Sequence, residues 1–208
     1  MQLTKTRLDR DQRRELILDV AQDVFLEEGF ANASMSTIAA RLGGSKGTLY
    51  NYFTSKTELF AAYMAEACLA NSEALFATAD DDTPAAEALR RFGRSFLSFV
   101  LSDDALAINR LVVAEAHRFP EVGQAFYEAG PKLSTQKLAG WLKHRMDRGD
   151  LRKADPEAAA RQFFALCKSH LFPMRLWNVI AEVTAEDIAR HVDAQVDMFL
   201  ATYGAGAG

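Results

Sequence analysis

Cysteine, long apolar runs and catalytic punctuation are what this chain of 208 residues has least of. Its two cysteines, Cys68 and Cys167, stand far apart in helical apolar contexts without a CxxC partner. That excludes a disulfide framework and a zinc ribbon and points to a reducing compartment. No stretch of about 18 apolar residues runs uninterrupted, and charged residues break up everything before Leu16. Neither a membrane-spanning helix nor a secretory leader is expected, and the location is read as cytoplasmic. The four histidines, His117, His144, His170 and His191, show no HExxH or His-x-His spacing. Cys167 and His170 lie at i, i+3, but such a pair does not complete a metal site. With the Gly-x-Ser-x-Gly elbow and the dinucleotide fingerprint missing too, the sequence argues against an enzyme, a metal centre and any cofactor.

Charge is nearly balanced, 24 Lys and Arg against 28 Asp and Glu for a net −4, which would disfavour a polyanionic partner if it were spread evenly. It is not. Lys5, Arg7, Arg10, Arg13 and Arg14 outnumber Asp9 and Asp11 at the start, and the acid excess follows residue 60. A basic start on an acidic body is a local electrostatic footprint.

Apolar periodicity is helical almost throughout. Ile17, Ala21, Val24 and Phe25 form the stripe of an amphipathic helix that ends at Gly29. Asp9 with Gln12 has capping-box spacing, although Thr6 would start the helix a turn earlier. Ser34 or Ser36 caps a short second helix that stops at Gly43-Gly44, Ser45 caps a third that faces Leu49 and Phe53 inward, and Ser55 with Glu58 opens a long fourth reaching Leu75. Helix, short helix, glycine turn, short helix is the order of a helix-turn-helix, whose second member lies in the major groove of DNA.

The stretch GGSKGTLYNYF, residues 43–53, tests that reading. A nucleotide P-loop needs Gly-Lys-Ser/Thr after a strand, whereas here Lys46-Gly47-Thr48 follows a helix. A plain capped surface helix would carry Glu, Ala and Lys throughout, whereas beside Lys46 this one carries Gly47, Tyr50, Asn51 and Tyr52. Each has a use on DNA. Lys46 reaches a guanine edge or a phosphate, Gly47 admits close approach of the backbone, Thr48 meets a thymine methyl or a base, and the Tyr50 and Tyr52 hydroxyls suit phosphate oxygens. Lys56, with the amides that start the fourth helix, offers another phosphate clamp.

Residues 30–60 resemble the DNA-binding domain of the TetR family of transcriptional regulators. The likeness rests on Phe30, Ser34, Ile38-Ala39, Gly43, Ser45, Gly47-Thr48, Tyr50, Tyr52-Phe53, Lys56 and Leu59 at the family's spacing, together with the preceding helix. It implies DNA contacts from Ser34 or Ser36, Lys46, Gly47, Thr48, Tyr50, Asn51, Tyr52 and Lys56. Where the family carries a β-branched or apolar anchor this chain has Gly44, from which a looser turn is expected.

The remaining residues carry no such motif but keep a helical order. Asp80-Asp81-Asp82-Thr83-Pro84 reads as a loop with Pro at the first turn of the next helix, and Gly130-Pro131 as a break. Ser102 or Asp103 starts the helix through Leu111 and Glu115, Arg148-Gly149-Asp150 is a turn, and Asp155-Pro156 opens an apolar helix read on to Phe172. Thr184 with Asp187 opens the last, carrying Ile188, Val192, Val196, Phe199 and Tyr203 on one face.

The fold expected is all-α: a three-helix DNA-binding domain with a helix-turn-helix over residues 1–54, a larger helical ligand-binding and dimerisation domain over 55–203, and a disordered Gly-Ala tail over 204–208. The resemblance implies a homodimer through helices near 156–172 and 185–203, a double-stranded, near-palindromic operator as partner, and a small-molecule effector. Most aromatics at helical spacing are core. The pocket that the resemblance implies is assigned to Phe96, Phe99, Phe126, Trp141, Phe164 and Trp177, with Glu115, His117 and His170 to orient the ligand. The reading is of a repressor released by a small, largely apolar effector. Its alternative is a helical ligand-binding or interaction protein whose helix-turn-helix no longer holds DNA.

Overall fold

The computed structural model describes residues 9–76 and 83–206, and side chains over 9–67 and 83–206. Lys5, Thr6, Arg7, Asp80–Asp82, Ala207 and Gly208 lie outside the described residues, as do the side chains of Cys68 and Leu75. The described residues form α1 (Arg10–Asn32), α2 (Met35–Arg41), α3 (Lys46–Tyr50), α4 (Lys56–Phe76), α5 (Ala85–Val100), α6 (Asp103–Glu115), α7 (Pro120–Tyr127), α8 (Leu133–Arg148), α9 (Pro156–Lys168), α10 (Leu171–Leu176) and α11 (Ala185–Tyr203). The Cα positions divide into two compact units: residues up to Ala67 with Leu111–Phe126, and Cys68–Arg110 with Tyr127 onward.

The first unit starts with a completed capping box. Asp9 accepts from the Gln12 amide at 2.8 Å while the Gln12 side chain accepts from the Asp9 amide at 3.2 Å. Ile17, Ala21, Val24 and Phe25 then face inward, all under 2 % exposed. Gly29 interrupts α1 at φ +76°, so the expected end is a kink followed by one more turn. Beyond it Phe30 meets Phe25 and Phe60 with ring centroids 5.8 and 5.3 Å apart, and Phe119 closes on Phe30 at 5.3 Å. Because the Phe60 and Tyr63 rings of α4 pack on Phe25, this unit extends past residue 54.

In the second unit α5, α8, α9 and α11 enclose a core of Leu89, Phe92, Phe96, Leu138, Leu142, Phe163, Phe164, Val192, Val196 and Phe199. Asp155 caps α9 with Pro156 at its first position, and Thr184 and Asp187 close a capping box on α11. Arg94 holds Asp193 at 2.6 Å across α5 and α11, a half-exposed pair of the kind worth only about 0–1 kcal/mol. Burial therefore does most of the holding. At the closest approach of the same helices, a Cβ on Gly93 would stand 2.7 Å from Val192 Cγ1 and 3.4 Å from the Phe163 ring.

Four local readings need correction. Pro84 flanks α5 at ψ 139° instead of sitting in its first turn. Gly130-Pro131 does not break the chain: a π-turn over Glu128–Lys132 carries α7 into α8, and its wider circuit accommodates a residue with no N–H to give. α9 ends at Lys168 and not near 172, because Pro173 has no amide for the Ser169 carbonyl and its ring would crowd that carbonyl. Gly204, read as the start of a frayed tail, pairs with Leu151 in an antiparallel bridge beside the Arg152 amide, which donates to Tyr203 O at 2.8 Å.

Gly93→Val is expected to destabilise the protein by about 1–3 kcal/mol, since both neighbours are buried in the core. Urea unfolding at fixed protein concentration checks it, and an unchanged midpoint would contradict the close approach of α5 and α11.

Candidate nucleic-acid interface

Two short helices cannot persist on propensity alone, so their caps and anchors decide the geometry. The Ser34 hydroxyl accepts from the Thr37 amide at 3.0 Å, which makes Ser34 the cap of α2 and leaves Ser36 exposed on the helix. Gly43, at φ +63°, ends it in a conformation that favours glycine. Its amide and that of Gly44 return to the carbonyls of Ala40 and Ala39 at 3.1 and 3.3 Å. Ser45 repeats the device on α3, accepting from the Thr48 amide at 3.2 Å with its hydroxyl 3.0 Å from that of Thr48. Leu49 and Phe53 are 1 % and 4 % exposed and root α3 in the unit.

What remains outward on α3 is Lys46, Gly47, Tyr50 and Asn51, all exposed, with Thr48 and Tyr52 half-buried at its margins. The Lys46 ammonium lies 6.0 Å from the Tyr50 ring centre. A Cβ added to Gly47 would find ordinary contact, 3.7 Å from Ser45 Oγ. Nothing in the described fold therefore demands glycine there, although glycine costs a helix about 1 kcal/mol relative to alanine.

Lys56 does something else. Its ammonium donates to the carbonyl oxygens of Phe30, Ala31 and Ala33, the last two at 3.3 and 2.9 Å, and stands 4.4 Å over the Phe30 ring. Carbonyls at the end of α1 have no helical partners, and the lysine supplies them. Burial holds its pKa below the ordinary lysine value, against the opposing pull of Glu115 and Glu121. At the start of α4, Ser55 Oγ accepts from Glu58 N at 3.1 Å, and the Glu58 carboxylate accepts from Thr54 N, just before the helix, at 2.7 Å. Within the unit the Lys56 ammonium is thus engaged on carbonyls, where the sequence reading gave it to a phosphate.

These elements fall within two family models. One, described as "Bacterial regulatory proteins, tetR family", matches residues 17–63, and another, "AefR-like transcriptional repressor, C-terminal domain", matches residues 87–205. The chain belongs to the TetR family of transcriptional regulators. Among curated relatives, the HTH-type transcriptional regulator UidR of Escherichia coli K12 is 29 % identical over 85 % of this chain and 84 % of its own. The HTH-type transcriptional activator FasR of Mycolicibacterium smegmatis is 47 % identical, but over only 28 % of this chain and 26 % of its own. Among solved structures, a TetR-family regulator from Mesorhizobium loti superposes with a TM-score of 0.83 at 26 % identity, covering 95 % of this chain and 100 % of that one. The flavonoid-responsive regulator FrrA gives 0.77 at 32 %, covering 93 % and 98 %.

The nine residues that the sequence assigns to an effector pocket of this TetR-family chain are divided between the two units. Glu115, His117 and Phe126 belong to the first unit, the other six to the second. Glu115 Oε1 accepts from the Ala31 amide at 3.3 Å and would stand 2.9 Å from a Cβ on Gly29. It is a corner brace. In the second unit, the Phe96 and Phe164 rings pack at 4.6 Å as core, Phe99 and Trp141 are half-buried, and His170 and Trp177 are exposed. Trp141 lies under the Arg145 guanidinium at 5.0 Å. A cavity of about 370 Å³ is lined instead by Thr83, Pro84, Ala85, Ala86, Arg145, Arg148, Asp150 and Leu200. Arg145, 2 % exposed and bonded to Asp150 at 3.0 Å, was missed; its place on the Leu138/Leu142 face of α8 was the available signal. No helix among the described residues is long and apolar enough to cross a membrane.

Lys56→Met keeps the aliphatic stem and removes the carbonyl cap, so a loss of about 2 kcal/mol is expected. A guanidinium-chloride melt that places the variant at the wild-type midpoint would show that the cap holds nothing.

Proposed function

We propose that the chain is a dimeric repressor that binds a near-palindromic DNA operator through α3 and lets go when a small, largely apolar molecule binds its second unit. The observation that carries the DNA reading is the exposed face of α3. Lys46, Gly47, Tyr50 and Asn51 point away from an anchor of Leu49 and Phe53, and Gly47 has no reason inside the fold. A glycine that costs helix stability and relieves no internal clash is explained by another backbone coming close. Thr48 and Tyr52 lie half-buried at its margins, Ser36 is exposed on α2, and Ser34 caps α2.

Dimerisation is supported by what α9 and α11 leave uncovered. Ala165 on α9 and Ala194, Met198 and Ala201 on α11 are exposed small or apolar side chains at helical spacing. A two-fold partner laid against them would make a bundle whose helices approach closely. Repression is supported by the repressor domain model matched over 87–205, and a small-molecule effector by the likeness to a regulator described as flavonoid-responsive. The effector would bind within the second unit, favouring a conformation in which it binds better than in the DNA-bound one.

Fluorescence anisotropy with duplexes from upstream of the protein's own coding region tests the DNA reading. Lys46→Ala is expected to cost about 1–3 kcal/mol of affinity with relaxed preference if Lys46 reads a base. Gly47→Ala is expected to raise unfolding stability by about 0.5–1 kcal/mol while weakening binding. Equal affinity for unrelated DNA, in both variants and the wild type, would defeat the proposal.

A further inference from the structure

Gly44 is where the chain departs from the TetR pattern, and its surroundings supply a reason. A Cβ built there would stand 3.2 Å from Nη2 of Arg13, so the guanidinium from α1 lies against the bare backbone of the turn that leads into α3. The neighbouring Gly43 has nothing within 4 Å of its own Cβ position. The pair divides the work: Gly43 meets the demand of conformation and Gly44 the demand of space.

Pairing separates Arg13 from Arg14 and Arg41. Arg14 is bound to Glu66 at 2.7 Å, and Arg41 to Glu27 and Glu28 at 2.6 and 3.3 Å. Arg13 makes no ion pair among the described residues, and neither does exposed Lys46, two positions beyond Gly44. Uncancelled positive charge therefore borders the turn on both sides. A guanidinium offers a planar fork of donors that fits phosphate oxygens, and one already laid on a surface loses less freedom when it binds.

We propose that Arg13 is a DNA-phosphate contact of the reading head, seated on the turn because Gly44 has no side chain. The proposal rests on the DNA-binding reading given above. A β-branched residue at position 44 would fill the space and turn the guanidinium away. A phosphate contact carries no sequence information, so its loss weakens all duplexes alike and removes about one ion from the salt dependence.

The test uses the full chain and a duplex that the wild type enriches from a random library, beside a scrambled duplex, titrated from about 50 to 200 mM salt. Arg13→Ala is expected to weaken both duplexes roughly fivefold to tenfold and lower the salt slope by about 1. Arg13→Lys is expected to keep the slope and part of the affinity. Gly44→Val is expected to weaken binding with Arg13 intact, and the double variant to be no worse than the weaker single one, since both act on one contact. Wild-type affinity and slope in Arg13→Ala would overturn the proposal. So would weaker binding at an unchanged slope with a lowered unfolding midpoint, which would make Arg13 a structural residue. Additive losses in the double variant would overturn the seating on Gly44. If the wild type enriches no duplex, the DNA-binding reading itself fails, and this inference with it.

Discussion

A helix of five residues, Lys46–Tyr50, has no stability of its own: nucleation costs more than so few internal hydrogen bonds return. Everything α3 can do depends on Leu49 and Phe53 being held in the core of the first unit and on Ser45 closing its start. That constraint divides its residues into two populations. The anchored ones cannot vary without loosening the helix, while the outward ones are free to be chosen for a partner. Gly47, Tyr50 and Asn51 are a poor choice for helix stability, and the proposed DNA contact would account for this mismatch between local propensity and composition.

The anchor in turn depends on a corner. α1 turns at Gly29, where positive φ and the Glu115 carboxylate leave no room for a side chain. Lys56 gathers the carbonyls released there, and Phe30 and Phe119, edge to face, lie beside its ammonium. One cation thus satisfies several buried acceptors at the point where α1, α2 and α4 begin or end. Helix ends that would otherwise carry orphan carbonyls become a joint. The stretch 111–126 therefore belongs to the first unit, although the chain reaches it only after all of α5.

Local signals in the sequence were legible where one residue type has one job. Asp9 with Gln12, Ser45, Asp155-Pro156 and Thr184 with Asp187 mark helix starts that the structure realises, and the Leu49/Phe53 register separates the inner and outer faces of α3. Signals that depend on long-range partners were not legible. Nothing near Glu115 in sequence shows that it braces Gly29, 86 positions away, so a carboxylate on an aromatic-rich stretch was read as a ligand group. Lys56 sits where a phosphate clamp would sit, and only the fold shows its donors turned to carbonyls. Pro131 and Pro173 misled in opposite directions: a π-turn absorbed one, and the other cut α9 shorter than its apolar run. The aromatics illustrate the commonest failure, since core and pocket share the same helical spacing, and Phe96 against Phe164 is core.

The most direct test of the account is a hydroxyl-radical footprint of the purified protein on DNA carrying its selected site. A two-fold pair of α3 helices predicts two patches of protected backbone on one face of the duplex, symmetric about a centre and separated by about one helical turn or a multiple of it. A single asymmetric patch, or protection that follows no sequence, would contradict it.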